Sequence, residues 1–390
     1  MKLTKQEKDM LNGKYGYAVK KSMGILVALG EIYNAKKLVE VTSVQIAGVS
    51  YDNLGDAGLE FLEELAKDGK VKVLTTLNPA GMDLENYKAL GISEDFAVKQ
   101  RKVIEAFSKM GILPTCTCTP YLIGNNPHFE QHIAWSESSA VAYANSVIGA
   151  YTNREGGPSA LASALTGKTP LYGMHLNENR KAQVKVKVTC PVKGTWEFGA
   201  LGKVIGEKAK AKPVLITGIK EATVDELKSF SASIATYGGA AIFHIKGITP
   251  AKVSAPKEEF TVTQADLVKA EKELDSECEV DFVSVGCPHA SLNELAKLAE
   301  LLKGKKVKKE FWITTARPTK KIADSAGYSK IIEDSGAKFA ADTCCVVAPI
   351  KNRFKCMATD SAKGCYYAGA KNNFKVKIMP IEKLVEEACK

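Results

Sequence analysis

No run of eighteen apolar residues occurs in the 390-residue chain; the longest candidate, MGILVALG at 23–30, is cut by Glu31 and is too short to cross a bilayer as a helix. The opening MKLTKQEKDM lacks the apolar segment of a secretory leader, so the expected compartment is the cytoplasm. No Cys-x2-Cys pair is present, which removes the usual signature of a zinc site. His128 and His132 stand four apart in HFEQH, but the order His-Glu-x-x-His of a zinc protease is not met, and ordinary loop histidines are expected. No G-x-G-x-x-G opens a helix after a strand, and GGPSALASALTGKTP fails as a phosphate loop because Ala162 stands where the first glycine belongs. Internal repeats and long linkers are also missing.

What is there describes a folded protein: 45% hydrophobic and 25% charged residues. The length exceeds one ordinary core, so two or three domains are expected. Ten cysteines without an export signal argue against a disulfide scaffold. The net charge of +10 is spread along the chain, and its densest run, KGKKVKKE at 303–310, reads as a solvated turn. The charge suits a small anionic substrate; neither nucleic acid nor membrane is an expected partner.

Strand, polar loop and helix alternate through most of the chain, the pattern of an α/β architecture. LVEVTSVQIAGVSY reads as one strand before the amphipathic GDAGLEFLEELAKDG, and KVKVLTTLNPAG as the next. Residues 136–166 are rich in small residues at helical spacing, 170–200 read as β-like, and the alternation resumes near 212. The expected division is an α/β region at 1–135 with the first cysteine loop, a helical and β region at 136–210, and an α/β region at 211–390 with the remaining cysteine sites.

Three segments place thiols in loops at strand ends. In PTCTCTPYLIGNNP, Cys116 and Cys118 lie between Pro114 and Pro120, which disfavour a regular helix. VDFVSVGCPHASLNEL delivers Cys287 from a strand, ahead of a helix whose Ser291 and Glu294 have capping-box spacing; such a position favours a thiolate. AKFAADTCCVVAPI does the same for Cys344 and Cys345. Ligands collect at the carboxyl ends of strands in open α/β sheets. Dispersed thiolates suit an iron–sulfur cluster, and three of them leave one iron open as a Lewis acid. A Cys287 nucleophile with His289 as base is the competing chemistry, though residues two apart seldom aim at one point.

With these residues laid out, the chain resembles the catalytic large subunit of the aconitase X family. The resemblance runs from LTKQEKDMLNGKYGYAVKKSMGILVALG through SVQIAGVSYDNLGDAGLEFLEELA, TTLNPAGMD, CTPYLIGNNP, WSESSAVAYANSVIGAYTNREGGPSAL and GCPHASLNEL to DTC and VVAP. It implies an aconitase-like multi-domain α/β fold around a central cluster. It further implies that Cys118, Cys287 and Cys344 hold that iron–sulfur cluster, a [4Fe-4S] type with one open iron, with Cys116 and Cys345 as alternatives to their neighbours. Stand-alone large subunits of this length resemble the archaeal branch, whose implied reaction is dehydration of mevalonate 5-phosphate to trans-anhydromevalonate 5-phosphate in isoprenoid synthesis. The general base is then expected on a separate small swivel-domain subunit. Ser50, Tyr51, Asn78, Asn125, Glu137, Ser138, Asn153 and Arg154 in the matching blocks are the expected substrate-binding residues, Arg154 as a grip for phosphate or carboxylate. Dehydration of cis-3-hydroxy-L-proline or another hydroxy acid is the alternative activity. A cluster-bearing scaffold or redox sensor is the alternative from outside enzymology.

Overall fold

The computed structural model describes all 390 residues. Fourteen strands form one short antiparallel ribbon and three sheets in which every pairing is parallel. Parallel strands need both faces covered, and the helices between them supply the cover.

The stretch expected as one strand divides into β1 (Leu38–Glu40) and β2 (Ser43–Ile46). The break comes where the backbone changes partner: Val41 N–H bonds Gly167 O at 3.0 Å, and Thr42 N–H bonds His132 O at 2.9 Å. β2 is the centre of the first sheet, between β3 (Leu74–Leu77) and β4 (Ala134–Trp135), while β1 pairs with β5 (Lys168–Pro170). All four residues of β2 are buried, and Val44, Ile46 and Leu77 lie in the core of this sheet.

The second sheet, ordered β8-β7-β6-β9, comprises β6 (Val184–Val188), β7 (Val214–Thr217), β8 (Phe243–Ile245) and β9 (Glu258–Val262). Its helices Gly194–Ala209 and Val224–Gly238 touch backbone to backbone: a Cβ on Gly202 would lie 3.0 Å from Phe230 O, and one on Gly206 would lie 2.9 Å from Gly238 N. The sequence reading missed the first of these helices, because glycine lowers helix propensity and tertiary contact overrides it here. It missed β9 as well, whose residues are mostly exposed and acidic at the start.

The third sheet runs β12-β11-β10-β13-β14, with β10 (Phe282–Ala290), β11 (Glu310–Thr315), β12 (Lys338–Ala341), β13 (Cys356–Thr359) and β14 (Lys375–Ile378). Connections leave β10 towards β11 and leave β13 towards β14, so the order reverses between β10 and β13. Ligand crevices form at such reversals. Cys356 lies in β13 and Cys365 in the helix Ala362–Ala370. Gly327 (φ 78°) separates the helices Arg317–Ser325 and Tyr328–Asp334. Although no disulfide scaffold exists, Cys278 and Cys356 are bonded, with Cα atoms 6.1 Å apart.

Packing joins the three sheets. Met82, Tyr87, Leu90 and Ile92 share an apolar core with Phe282, Trp312 and Met357 of the third sheet and with Phe374 just ahead of β14. Arg317 binds Asp83, Glu85 and Asp342 at the same seam. Trp135 and Tyr143 enter the core of the second sheet beside Val186 and Phe230. No helix is long and apolar enough to cross a membrane.

Candidate active site

Residues 113–117 run beside β3, with Leu113 N–H on Thr75 O at 3.0 Å and Thr117 N–H on Leu77 O at 2.9 Å. This carries Cys118 past the carboxyl end of the first sheet. Cys116, at φ 44°, turns into the first sheet's core, whereas Cys118 belongs to no apolar core. The same division separates Cys345, packed with Met357 and Phe374, from Cys344, which lies outside every apolar core. Asp342, at φ 64°, makes the turn after β12 that delivers Cys344, and the Arg317 Nε–H holds its carboxylate at 3.0 Å.

Cys287 lies on β10 itself, five residues ahead of the helix Leu292–Leu302, whose Ser291–Glu294 capping box is formed. The register with β11 breaks between Val285 and Ala290. Gly286 makes the break possible: its φ is 98°, and a Cβ would sit 2.1 Å from Thr314 O. The expected thiolate-favouring helix end does not govern Cys287. Burial pushes its thiol up, against the pull of the Lys363 charge and a Ser361 hydrogen bond. Burial likewise raises Cys118, then the fields of Glu137 and Cys344; it raises Cys344, then the fields of Cys345 and Cys287.

His289 is not placed as a base for Cys287. Its Nδ1 is 3.0 Å from Thr117 Oγ1, its Nε2 is 2.9 Å from Thr343 O, and its backbone N–H donates to Cys118 Sγ at 3.2 Å. Burial depresses the ring to about 4, keeping it neutral.

Beside the thiols lies a polar network. Glu137 accepts from Lys363 Nζ in a short ion pair, from Ser139 Oγ at 3.0 Å and from Asn78 Nδ2 at 2.9 Å. Gln45 Nε2 donates to Asn78 Oδ1 at 3.3 Å and to Thr117 O at 3.0 Å. Burial works to raise the Glu137 carboxyl, but the charge and hydrogen bond of Lys363, with Ser139 and Asn78, hold it down at about 2. Lys363 is only 7% exposed. Burial opposes its charge, yet Glu137, Cys287 and Cys118 push its pKa up. Behind Cys287 a second buried cation, Lys228, pairs with Glu294 and Asp225 and donates to His289 O at 3.1 Å. A void of about 10 Å³ there, bounded by Thr195, Lys228, Glu294 and Asp360, has room for about one water molecule.

The expected substrate residues divide by position. Asn78 and Glu137 are in the network, and Ser138 starts the helix Ser138–Tyr143 that Glu137 caps. Ser50 is buried and donates to Val347 O at 3.2 Å, joining the end of β2 to the Cys344 loop. Tyr51 turns outward, its hydroxyl donating to Asp56 at 2.9 Å. Asn125 ties its loop to Thr76 Oγ1 at 2.9 Å, and Asn153 accepts from Met174 N–H at 2.7 Å. Arg154 is exposed and donates to Gly239 O at 2.9 Å. Sequence reasoning missed Lys363, Gln45 and Lys228. For Lys363 the available signal was CMATDSAKG, a strand followed by a helix-capping Ser361 with the lysine in the first turn. A cavity of about 780 Å³ lies elsewhere, at the ends of β6 and β7, and contains Cys190 alone among the cysteines.

The donor set fits a cluster better than a lone ion. No three His, Cys, Asp or Glu side chains converge on a single metal-ion position, whereas thiolates on a cuboidal cluster each bind a different iron and stand farther apart. Cys118 and Cys344 are buried and Cys287 partly so, none belongs to an apolar core, and their charges act on one another, a donor set suited to a cluster.

Three family models match in succession: Aconitase X first domain over residues 1–178, second domain over 182–272 and third domain over 280–390. The phosphomevalonate dehydratase large subunit of Methanothermobacter thermautotrophicus is 45% identical over 94% of this chain and 93% of its own. The crystal structure of Thermococcus kodakaraensis aconitase X, in its holo-form, superposes with a TM-score of 0.93 at 44% identity, covering 100% of both chains. The cis-3-hydroxy-L-proline dehydratase of Hypocrea jecorina is 31% identical over 100% of this chain but only 69% of its own.

Proposed function

This chain belongs to the aconitase X family, and on that premise we propose that it dehydrates mevalonate 5-phosphate to trans-anhydromevalonate 5-phosphate and water, as the large subunit of a two-subunit hydro-lyase. The observation that carries this is the meeting of Cys118, Cys287 and Cys344 beside the Glu137–Lys363 pair. The 45% identity over nearly the full chain favours the phosphorylated substrate over hydroxyproline.

Cys118, Cys287 and Cys344 would hold a four-iron, four-sulfur cluster with one iron free. Such a group, when bound, supplies Lewis-acid polarisation of the departing hydroxyl. The chain's own residues do the rest of the binding. Lys363 has one N–H left beyond Glu137 and Ser139 and offers a fixed positive charge to a substrate carboxylate. Glu137, ionised throughout the physiological range, keeps that charge in place and accepts rather than donates. Asn78 and Ser138 flank the Glu137–Lys363 pair, and Ser50 ties the Cys344 loop to the end of β2. Tyr51, Asn125, Asn153 and Arg154 would then act by shaping the loops rather than by contact. The base that takes the proton from the neighbouring carbon belongs to the small subunit.

The test is anaerobic reconstitution of this chain with iron and sulfide, addition of the small subunit, and phosphorus NMR of mevalonate 5-phosphate. A dehydrated product that vanishes on Cys287→Ala or without the small subunit is expected. A loaded cluster with no product in the complete mixture would overturn the substrate assignment.

A further inference from the structure

His289 touches all three cysteine loops. It lies two residues after Cys287; its ring reaches Thr117, which precedes Cys118, and the carbonyl of Thr343, which precedes Cys344. From these contacts we infer that His289 is the positioning residue that sets the mutual spacing of the three loops. The inference rests on the cluster reading above and adds to it a residue that binds neither iron nor substrate.

The hydrogen-bond directions follow from chemistry. Thr343 O can only accept, so Nε2 carries the proton. In a neutral ring Nδ1 then accepts, and the Thr117 hydroxyl donates to it. Thr117 Oγ1 in turn receives the Thr119 N–H at 3.2 Å and lies 3.1 Å from the Thr119 hydroxyl, which donates to it. The backbone of His289 is gripped as well: Lys228 holds its carbonyl, and the opposite N–H points at Cys118 Sγ. Every polar atom of His289 is engaged, and its residue is 0% exposed. Asparagine reaches only the Thr117 side, glutamine only the Thr343 side, and phenylalanine fills the space with neither bond.

The test uses the full-length chain bearing Thr117→Val, Thr117→Ser and His289→Phe. Groups that orient metal ligands cost about 10- to 100-fold in metal affinity when removed. With a chelator present, Thr117→Val and His289→Phe should release iron about 10- to 100-fold faster than the parent, and Thr117→Ser at the parent rate. Amide exchange of the cluster-free chain is the second readout. In Thr117→Val it should rise at 116–119 and also at 343–345, because the disturbance crosses the ring. A rise confined to 116–119, or parent-like iron release in Thr117→Val, overturns the inference. Should His289→Phe fail to fold, the two Thr117 variants still decide. A parent chain that takes up no iron sinks the cluster reading alone, since the exchange comparison stands without it.

Discussion

Lys363 illustrates what a residue gains from its neighbours. Two buried charges tolerate each other's company only as a pair, and removing one strands the other. Lys363→Met should therefore cost about 3–5 kcal/mol in a denaturant melt, while adding Glu137→Gln should recover part of the loss; additive costs would show that the two do not act together. The thiols make a sharper test. Cys344→Ala should abolish iron binding and Cys345→Ala should spare it, read as iron per chain after anaerobic loading, because only Cys345 is packed in apolar core. At this scale the sequence was informative for cysteines, which are few and sit in unusual loops. It was silent on Lys363, one of 54 basic residues, because only tertiary placement distinguishes it from a solvated lysine.

Elements place these residues, and their weak points are specific. Gly286→Ala forces a side chain into the left-handed region against Thr314 O, a cost of about 1–3 kcal/mol before any clash; the expected result is a folded or partly folded chain that fails to retain iron. On the other side of β4, His175 is 3% exposed and shares a 2.9 Å contact with His132. Burial depresses its ring from 6.5 to about 3, with His132 and Arg180 adding to the effect. The unfolded chain then binds the extra proton, so stability is complete above about 6.5 and falls as pH drops towards about 3. His175→Gln should flatten that acid limb by up to about 1.4 kcal/mol per pH unit; an unchanged slope in melts taken across the range would refute the assignment. Most strands and helices were legible from periodicity. The exceptions share a cause: the Gly194–Ala209 helix, β9 and β13 take their form from partners far along the chain rather than from local preference.

For the whole molecule, the net charge is +10, the sign that attracts the anionic substrate proposed above. Raising salt should lower kcat/KM of the assembled enzyme while leaving kcat nearly constant, since screening weakens capture but not chemistry; a salt-independent kcat/KM would remove steering from the account. The α/β class was readable from alternation alone. How the three sheets meet was not, because seams such as Asp83 with Arg317 and Ala341 join residues more than 200 positions apart. One of those seams bears on how the protein is made. Met82, Tyr87, Leu90 and Ile92 find their apolar partners in a stretch that ends at Phe374, so on the ribosome they emerge long before anything can cover them. At about 5–20 residues per second the wait is on the order of tens of seconds, during which the nascent chain offers a sticky face to its neighbours, and a holdase that shields it would raise the yield of native protein.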